Sequence, residues 1–342
     1  MRIAQICPPW FSVPPAGYGG IEWVVALLAD GLAERGHDVT LFASGSSTTK
    51  AKLVSEFDEP PGGTMLGQIW FEAVHAVSAY KHKDEFDIIH DHCGLVGPSI
   101  GANIGGPPVV HTLHGPFTEQ AKRYYRLTSP PLHLVAISEA QRAACPDLNY
   151  AGTVHNGIDL SAYRMRADKE DYLLFLGRIN REKGPEIAVE VAARAGMKLK
   201  MAVKMTEPFE QQYWREVIEP RLTGSEEVLG EISVEEKATL LAGARATVFP
   251  IQWPEPFGLV MTESMACGTP VLAFPRGAAP EVIVDGVTGY LPETIDEMVA
   301  CVDRLDRIDP AACRAHVEAR FGAASMVEGY ERIFKALLAG SR

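Results

Sequence analysis

The chain has 342 residues, 46% apolar and 22% charged, with a formal net charge of −12. That length suffices for two domains of ordinary size, and the balance is that of a globular protein. The acidic excess excludes nucleic acid as the main partner and counts against an anionic membrane surface, since both call for basic patches.

The N-terminus, MRIAQICPPW, lacks signal-peptide architecture, and no run approaches the ~20 apolar residues of a membrane span. Residues 3–6 read as a short buried strand. Gly17-Tyr18-Gly19-Gly20-Ile21-Glu22 follows, where a phosphate loop belongs, because glycine lets a backbone approach a ligand closely. It matches neither GxGxxG nor GxxxxGK[ST]. Ile21, Val24, Val25, Leu28 and Leu32 lie on one face of a predicted helix, 20–35, which Gly36 ends. Strands are predicted at 39–43, 87–90, 109–112 and 134–137.

His90-Asp91-His92 follows one of these strands. The spacing could ligate a metal, but no third ligand is arranged with it; a substrate-facing role is the alternative. In His111-Thr112-Leu113-His114-Gly115, strand alternation sends the two histidines to opposite faces. Ser138 reads as a helix N-cap. The six cysteines are scattered without a CxxC pair, which predicts reduced thiols and a cytoplasmic protein. His155 to Asp159 lie between the two halves, and the polar stretch that follows, to Asp171, reads as the interdomain linker.

The second half repeats the alternation, with strands at 172–176, 199–203 and 246–249 and a helix from Pro185 to Gly196. In residues 175–184, FLGRINREKG, Arg178 and Lys183 leave a strand end and can bring a forked guanidinium and a point charge to one diphosphate. Arg181 should point outward. Glu255 precedes a helix running from about Leu259 to Gly268, with Pro270 beyond. Glu263 stands roughly 7 Å further along its axis. The N-terminus of such a helix favours an anion, and two flanking carboxylates suit a ligand with hydroxyls on both sides of its phosphates. The last segment, 323–338, repeats Val327, Tyr330, Phe334 and Leu337 at helical spacing.

The run 255–281, EPFGLVMTESMACGTPVLAFPRGAAPE, closely resembles the E-x7-E signature of retaining GT-B glycosyltransferases, family 4 in particular. The resemblance extends over nearly the whole chain. It implies an α/β fold of GT-B architecture: two Rossmann-like domains whose parallel sheets face a deep cleft. Residues 1–157 would form the acceptor side, completed by a last helix at 323–342, and 158–322 the donor side. The resemblance also implies a sugar transfer that retains anomeric configuration. It places Gly19, Gly20, Arg178, Lys183, Phe257, Gly258 and Leu259 against the donor, Glu263 on its ribose, Glu255 on its sugar and His114 near the anomeric centre. His114, Arg178, Lys183 and Glu255 are then the expected catalytic set. Neither metal nor cofactor is expected. The donor is a nucleoside-diphosphate sugar, UDP-hexose by default, and the acceptor hydroxyl stays open. Peripheral membrane contact gains no support from the charge. Two alternatives remain: a nucleotide-sugar epimerase on the same architecture and a non-catalytic nucleotide-sugar-binding protein.

Overall fold

The computed structural model describes residues 1–340 apart from Tyr18, Gly63, Thr64 and Leu66. Tyr18 of the glycine-rich loop, and Ser341 and Arg342 at the end of the last predicted helix, thus lie outside the described residues. The chain divides into two compact units, Met1–Ile158 with Ala323–Arg342, and Asp159–Gly322. Among the described residues no helix is long and apolar enough to cross a membrane.

Unit 1 is built on seven parallel strands: β1 (Arg2–Ile6), β2 (Asp38–Phe42), β3 (Lys52–Val54), β4 (Ile88–Asp91), β5 (Val109–Thr112), β6 (His133–Ala136) and β7 (Tyr150–Thr153). Their order is β3-β2-β1-β4-β5-β6-β7. Ile3 pairs with Val39 on one side and Ile88 on the other. Helices cover both faces, so the central strands are buried along nearly their whole length rather than on alternate residues. The chain direction of the order reverses at β1, which makes the carboxyl ends of β1 and β4 the switch point where open α/β sheets bind ligands.

The last helix, Ala323–Gly340, belongs to this unit although unit 2 separates it from the rest in sequence. Its close approach is a matter of small residues. A Cβ on Gly31 would lie 2.6 Å from Val327 Cγ2, and one on Gly329 would lie 3.0 Å from Val154 Cγ1. Tyr330 and Phe334 are fully buried. The Tyr330 hydroxyl shares a hydrogen bond with Thr112 Oγ1 at 2.9 Å. Glu331 ties the helix to the end of the helix Gly20–Glu34 through Arg35 (2.9 Å) and His37 (3.0 Å).

Unit 2 carries six parallel strands: β8 (Tyr172–Arg178), β9 (Lys198–Lys204), β10 (Glu226–Leu229), β11 (Ala246–Phe249), β12 (Val271–Ala273) and β13 (Gly289–Tyr290). The order β10-β9-β8-β11-β12-β13 puts its switch point between β8 and β11. The helix Leu259–Ala266 ends at Gly268, whose φ of 72° is left-handed, so the following turn favours glycine there.

The stretch from 159 to 171 is not a loose linker. Tyr163 is buried in unit 2. Lys169 Nζ donates to Ala242 O, Cys267 O and Thr269 Oγ1. Burial pushes that amine down to about 8. The polar letters here satisfy helix-end carbonyls rather than solvent, which composition could not reveal.

Candidate functional site

In unit 2, the end of β8 and the loop after β11 bring the predicted residues together. β8 ends on Arg178. The backbone then turns: Lys183 N donates to Asn180 O and Oδ1. Gly184, at φ 65°, caps the helix Pro185–Ala195. A Cβ there would meet Pro250 O at 2.4 Å, so glycine alone lets the two loops touch. Gln252 N closes the contact by donating to Glu182 O at 2.7 Å.

This pinning presents Lys183 to Glu255. Lys183 Nζ lies 2.5 Å from Glu255 Oε2, and Trp253 Nε1 donates to the same oxygen at 2.9 Å. The ammonium also sits over the rings of Phe249 (5.5 Å) and Trp253 (5.3 Å). Glu255 is 8% exposed. Ala278 N donates to its carbonyl, and a Cβ on Gly277 would fall 2.3 Å from Glu255 N.

Glu263, 7% exposed, stands on the helix Leu259–Ala266. Its Oε1 accepts from Tyr163 Oη at 2.7 Å and Lys237 Nζ at 2.6 Å. The described bonds therefore use one oxygen of each glutamate and leave the other as an acceptor. Among the described residues no side chain caps the helix start at Gly258. Its first N–H groups keep their anion-binding character.

Arg178 Nε donates to Glu210 Oε1 at 2.6 Å. Glu210 is fully buried, and its Oε2 accepts from Thr206 N and Glu207 N. One edge of the guanidinium is thus fixed, and among the described residues no hydrogen bond uses its two Nη groups, which suit a fork-type contact. Phe257, by contrast, is buried against Phe321 at 5.8 Å between ring centroids. Its side chain serves the core, so what it can offer a ligand is backbone. Arg181 is exposed. Lys204 lies 3.6 Å from Glu231. Tyr163, Lys237, Trp253 and Glu210 escape sequence reasoning. Only Glu210 carries a local signal, as the fourth residue of a Glu207-x-x-Glu210 capping box.

In unit 1, Gly19 and Gly20 open the helix Gly20–Glu34. A Cβ on Gly19 would lie 2.8 Å from Pro15 Cγ and 2.9 Å from Glu22 Oε2. Buried His90, His92 and His111 and half-buried His114 form one row. His114 Nε2 lies 2.9 Å from His92 Nδ1, while His111 Nε2 turns away to the Tyr125 hydroxyl at 3.2 Å. His90 bonds Thr112 Oγ1 and packs on Tyr330 and Phe334, a structural position rather than a substrate-facing one. Among the described residues no three His, Cys, Asp or Glu converge in a metal-holding group.

This row, together with buried His75 on the helix Ile69–Tyr80, makes unit 1 acid-sensitive. Burial pushes His75 and His114 down to about 4, His111 to about 3, and His90 and His92 well below the ordinary range. The unfolded chain takes up protons that the fold refuses, so this stability is full above about pH 6.5 and lost as pH falls towards 4. Burial raises Glu22 and Asp91 to about 7, which acts oppositely: their contribution is lost as pH rises. Five imidazoles outweigh two carboxyls. The urea midpoint of unit 1 is expected to drop between about pH 6.5 and 4; a midpoint that rises over this window would refute the balance.

The Glycosyltransferase Family 4 model matches residues 18–162, and the Glycosyl transferases group 1 model matches residues 163–308. The chain is similar to a D-inositol 3-phosphate glycosyltransferase of Pseudarthrobacter chlorophenolicus, 25% identical over 333 residues, which cover 80% of this chain and 78% of that one. It is similar to the crystal structure of AviGT4, a glycosyltransferase involved in avilamycin A biosynthesis, at 28% identity and a TM-score of 0.77, covering 99% of this chain and 98% of that one. Anabaena HepE in complex with UDP-glucose shares the fold, at 20% identity and a TM-score of 0.76, covering 98% of this chain and 100% of that one.

Proposed function

The chain belongs to the family 4 glycosyltransferases, GT-B enzymes that act on sugar donors, and from that premise we propose that it moves a hexosyl group from a nucleoside-diphosphate sugar to an acceptor hydroxyl, with retention and without a divalent metal. The observation that supports this most is the set of groups left unsatisfied in unit 2. The Arg178 fork and the helix start at Gly258-Leu259 can hold a diphosphate. Glu255 and Glu263 each keep an oxygen for hydroxyls, Glu255 for the sugar and Glu263 for the ribose.

Lys183 joins Arg178 on the diphosphate as negative charge grows there, so both act more strongly in the transition state than before it. These fixed charges would supply what a metal supplies elsewhere. Gly19, Gly20 and His114 of unit 1 are assigned to the same donor, and the rest of unit 1 to the acceptor. Retention by double displacement needs a carboxylate nucleophile. Glu255, tied to Lys183 and Trp253, suits a hydroxyl ligand better. The reading is therefore a front-face substitution. The anomeric bond to the diphosphate breaks, the acceptor oxygen bonds on the same face, and its proton passes to the departing phosphate oxygen. UDP-hexose is taken as the default donor; HepE, which shares the fold, was solved with UDP-glucose. Free, buried cysteines support a cytoplasmic place of work.

A thermal-shift panel of nucleoside diphosphates and their sugars, with and without Mg²⁺, tests the donor site. A ligand at ~100 times its dissociation constant adds about 2.7 kcal/mol to the folded state. A shift with one nucleotide series in the absence of metal is expected. A shift that appears only with Mg²⁺ would remove metal independence, and none at all would remove the donor assignment.

A further inference from the structure

Two imidazole nitrogens 2.9 Å apart, His92 Nδ1 and His114 Nε2, need one proton between them: two N–H groups repel, and so do two lone pairs. The other nitrogen of His92 decides which. His92 Nε2 lies 3.1 Å from Gln5 Oε1, an oxygen that can only accept, while Gln5 Nε2 is buried without a partner among the described residues, so the amide orientation is what the proton order turns on. Gln5 is fully buried on β1, and its register partner across the sheet is His90 of β4. The backbone of His92 is locked as well, since its N–H donates to Ile6 O at 2.9 Å. The His92 ring lies between that of His90 (centroids 4.1 Å apart) and that of His114 (5.2 Å, nearly parallel).

We propose that His92 is a positioning residue that fixes His114 as its Nε2–H tautomer, so that His114 offers an unprotonated Nδ1 to a hydroxyl of the donor sugar. The proton order follows from the geometry. His92 Nε2–H donates to Gln5, His92 Nδ1 then accepts from His114 Nε2–H, and the remaining lone pair is on His114 Nδ1. No described residue bonds that atom, and His114 is only half-buried. Burial holds both rings neutral at pH 7, which keeps the single-proton logic intact. A lone pair there recognises a hydroxyl and disfavours a carbonyl or phosphate oxygen, so the relay selects for sugars with a free hydroxyl at this point. The inference rests on the reading of His114 as a sugar contact.

The test is the two-bond nitrogen–proton correlation spectrum of the intact protein with ¹⁵N-labelled histidine, assigned with His114→Ala and His92→Phe. The expected wild-type result is Nε2–H on both His92 and His114 at pH 7. In His92→Phe the His114 signals should split between tautomers. Release of nucleoside diphosphate from UDP-glucose should fall about tenfold, the lower end for loss of an orienting partner, and recover in part in His92→Asn, whose amide can stand near Nδ1. A wild-type Nδ1–H on His114 would mean that Gln5 donates inward and would overturn the relay. An unchanged His114 tautomer in His92→Phe would overturn it too. Should that variant not fold, the wild-type spectrum still decides. If the relay holds but His114→Ala keeps full turnover, the sugar contact fails and the relay stands.

Discussion

Replacing Lys183 by alanine is expected to lower kcat/KM for sugar transfer by about 10²–10³-fold, the range seen when one preorganised donor to a developing charge is removed. The ammonium is held from several sides at once, by Glu255 Oε2 and by the faces of Phe249 and Trp253. It therefore need not reorganise when the diphosphate departs. The pair is no ordinary surface salt bridge, since the side chains are only 21% and 11% exposed. Its removal also leaves Glu255 with Trp253 as its remaining described side-chain partner, a carboxylate poorly compensated for its burial. Arginine should rescue little, because a planar fork does not replace a point charge in so small a space. Arg181→Ala is the internal control: its side chain is exposed two positions away, and its effect should stay within about threefold. Nucleoside diphosphate release measures both. A Lys183→Ala enzyme as active as the control would end the assignment.

Tyr330→Ala should destabilise unit 1 by about 3–5 kcal/mol, the usual loss for a fully buried aromatic. The ring fills the space beneath His90, and its hydroxyl completes a chain from Thr112 Oγ1 to His90 Nε2. Tyr330→Phe keeps the ring, and Thr112 keeps His90, so about 1 kcal/mol is expected. Two units need not unfold together. Hydrogen exchange on β4 and β5 is therefore the right measure. Equal protection in the alanine variant and the wild type would show that the last helix does not support the histidine row.

The strength of a local signal explains what the sequence makes legible. The helix Leu259–Ala266 has glycine on both sides, Gly258 and Gly268, each with positive φ, so its bounds are readable from letters alone. The strands β1, β4, β5, β8 and β11 are almost wholly buried and each carries adjacent apolar residues, so they are likewise readable. β3, β7 and β10 are not: they are short edge strands that are half-buried or exposed, and their composition is that of loops. The partners of the charged groups are hidden for another reason. Tyr163 reaches Glu263 across a sequence separation of 100, and Glu210 reaches Arg178 across 32. Such contacts come from sheet order, which no local pattern carries.

The sheet of unit 1 is complete in sequence at β7, but Tyr330 and Phe334 arrive only with the last helix. A ribosome must therefore make all of Asp159–Gly322 before unit 1 can close. At roughly 5–20 residues per second this delay is on the order of ten seconds or more. The later-made unit is continuous and can fold first, reversing the usual N-to-C order of multidomain synthesis. Meanwhile the growing chain carries an open apolar surface where the helix will sit, the kind of surface that recruits chaperones.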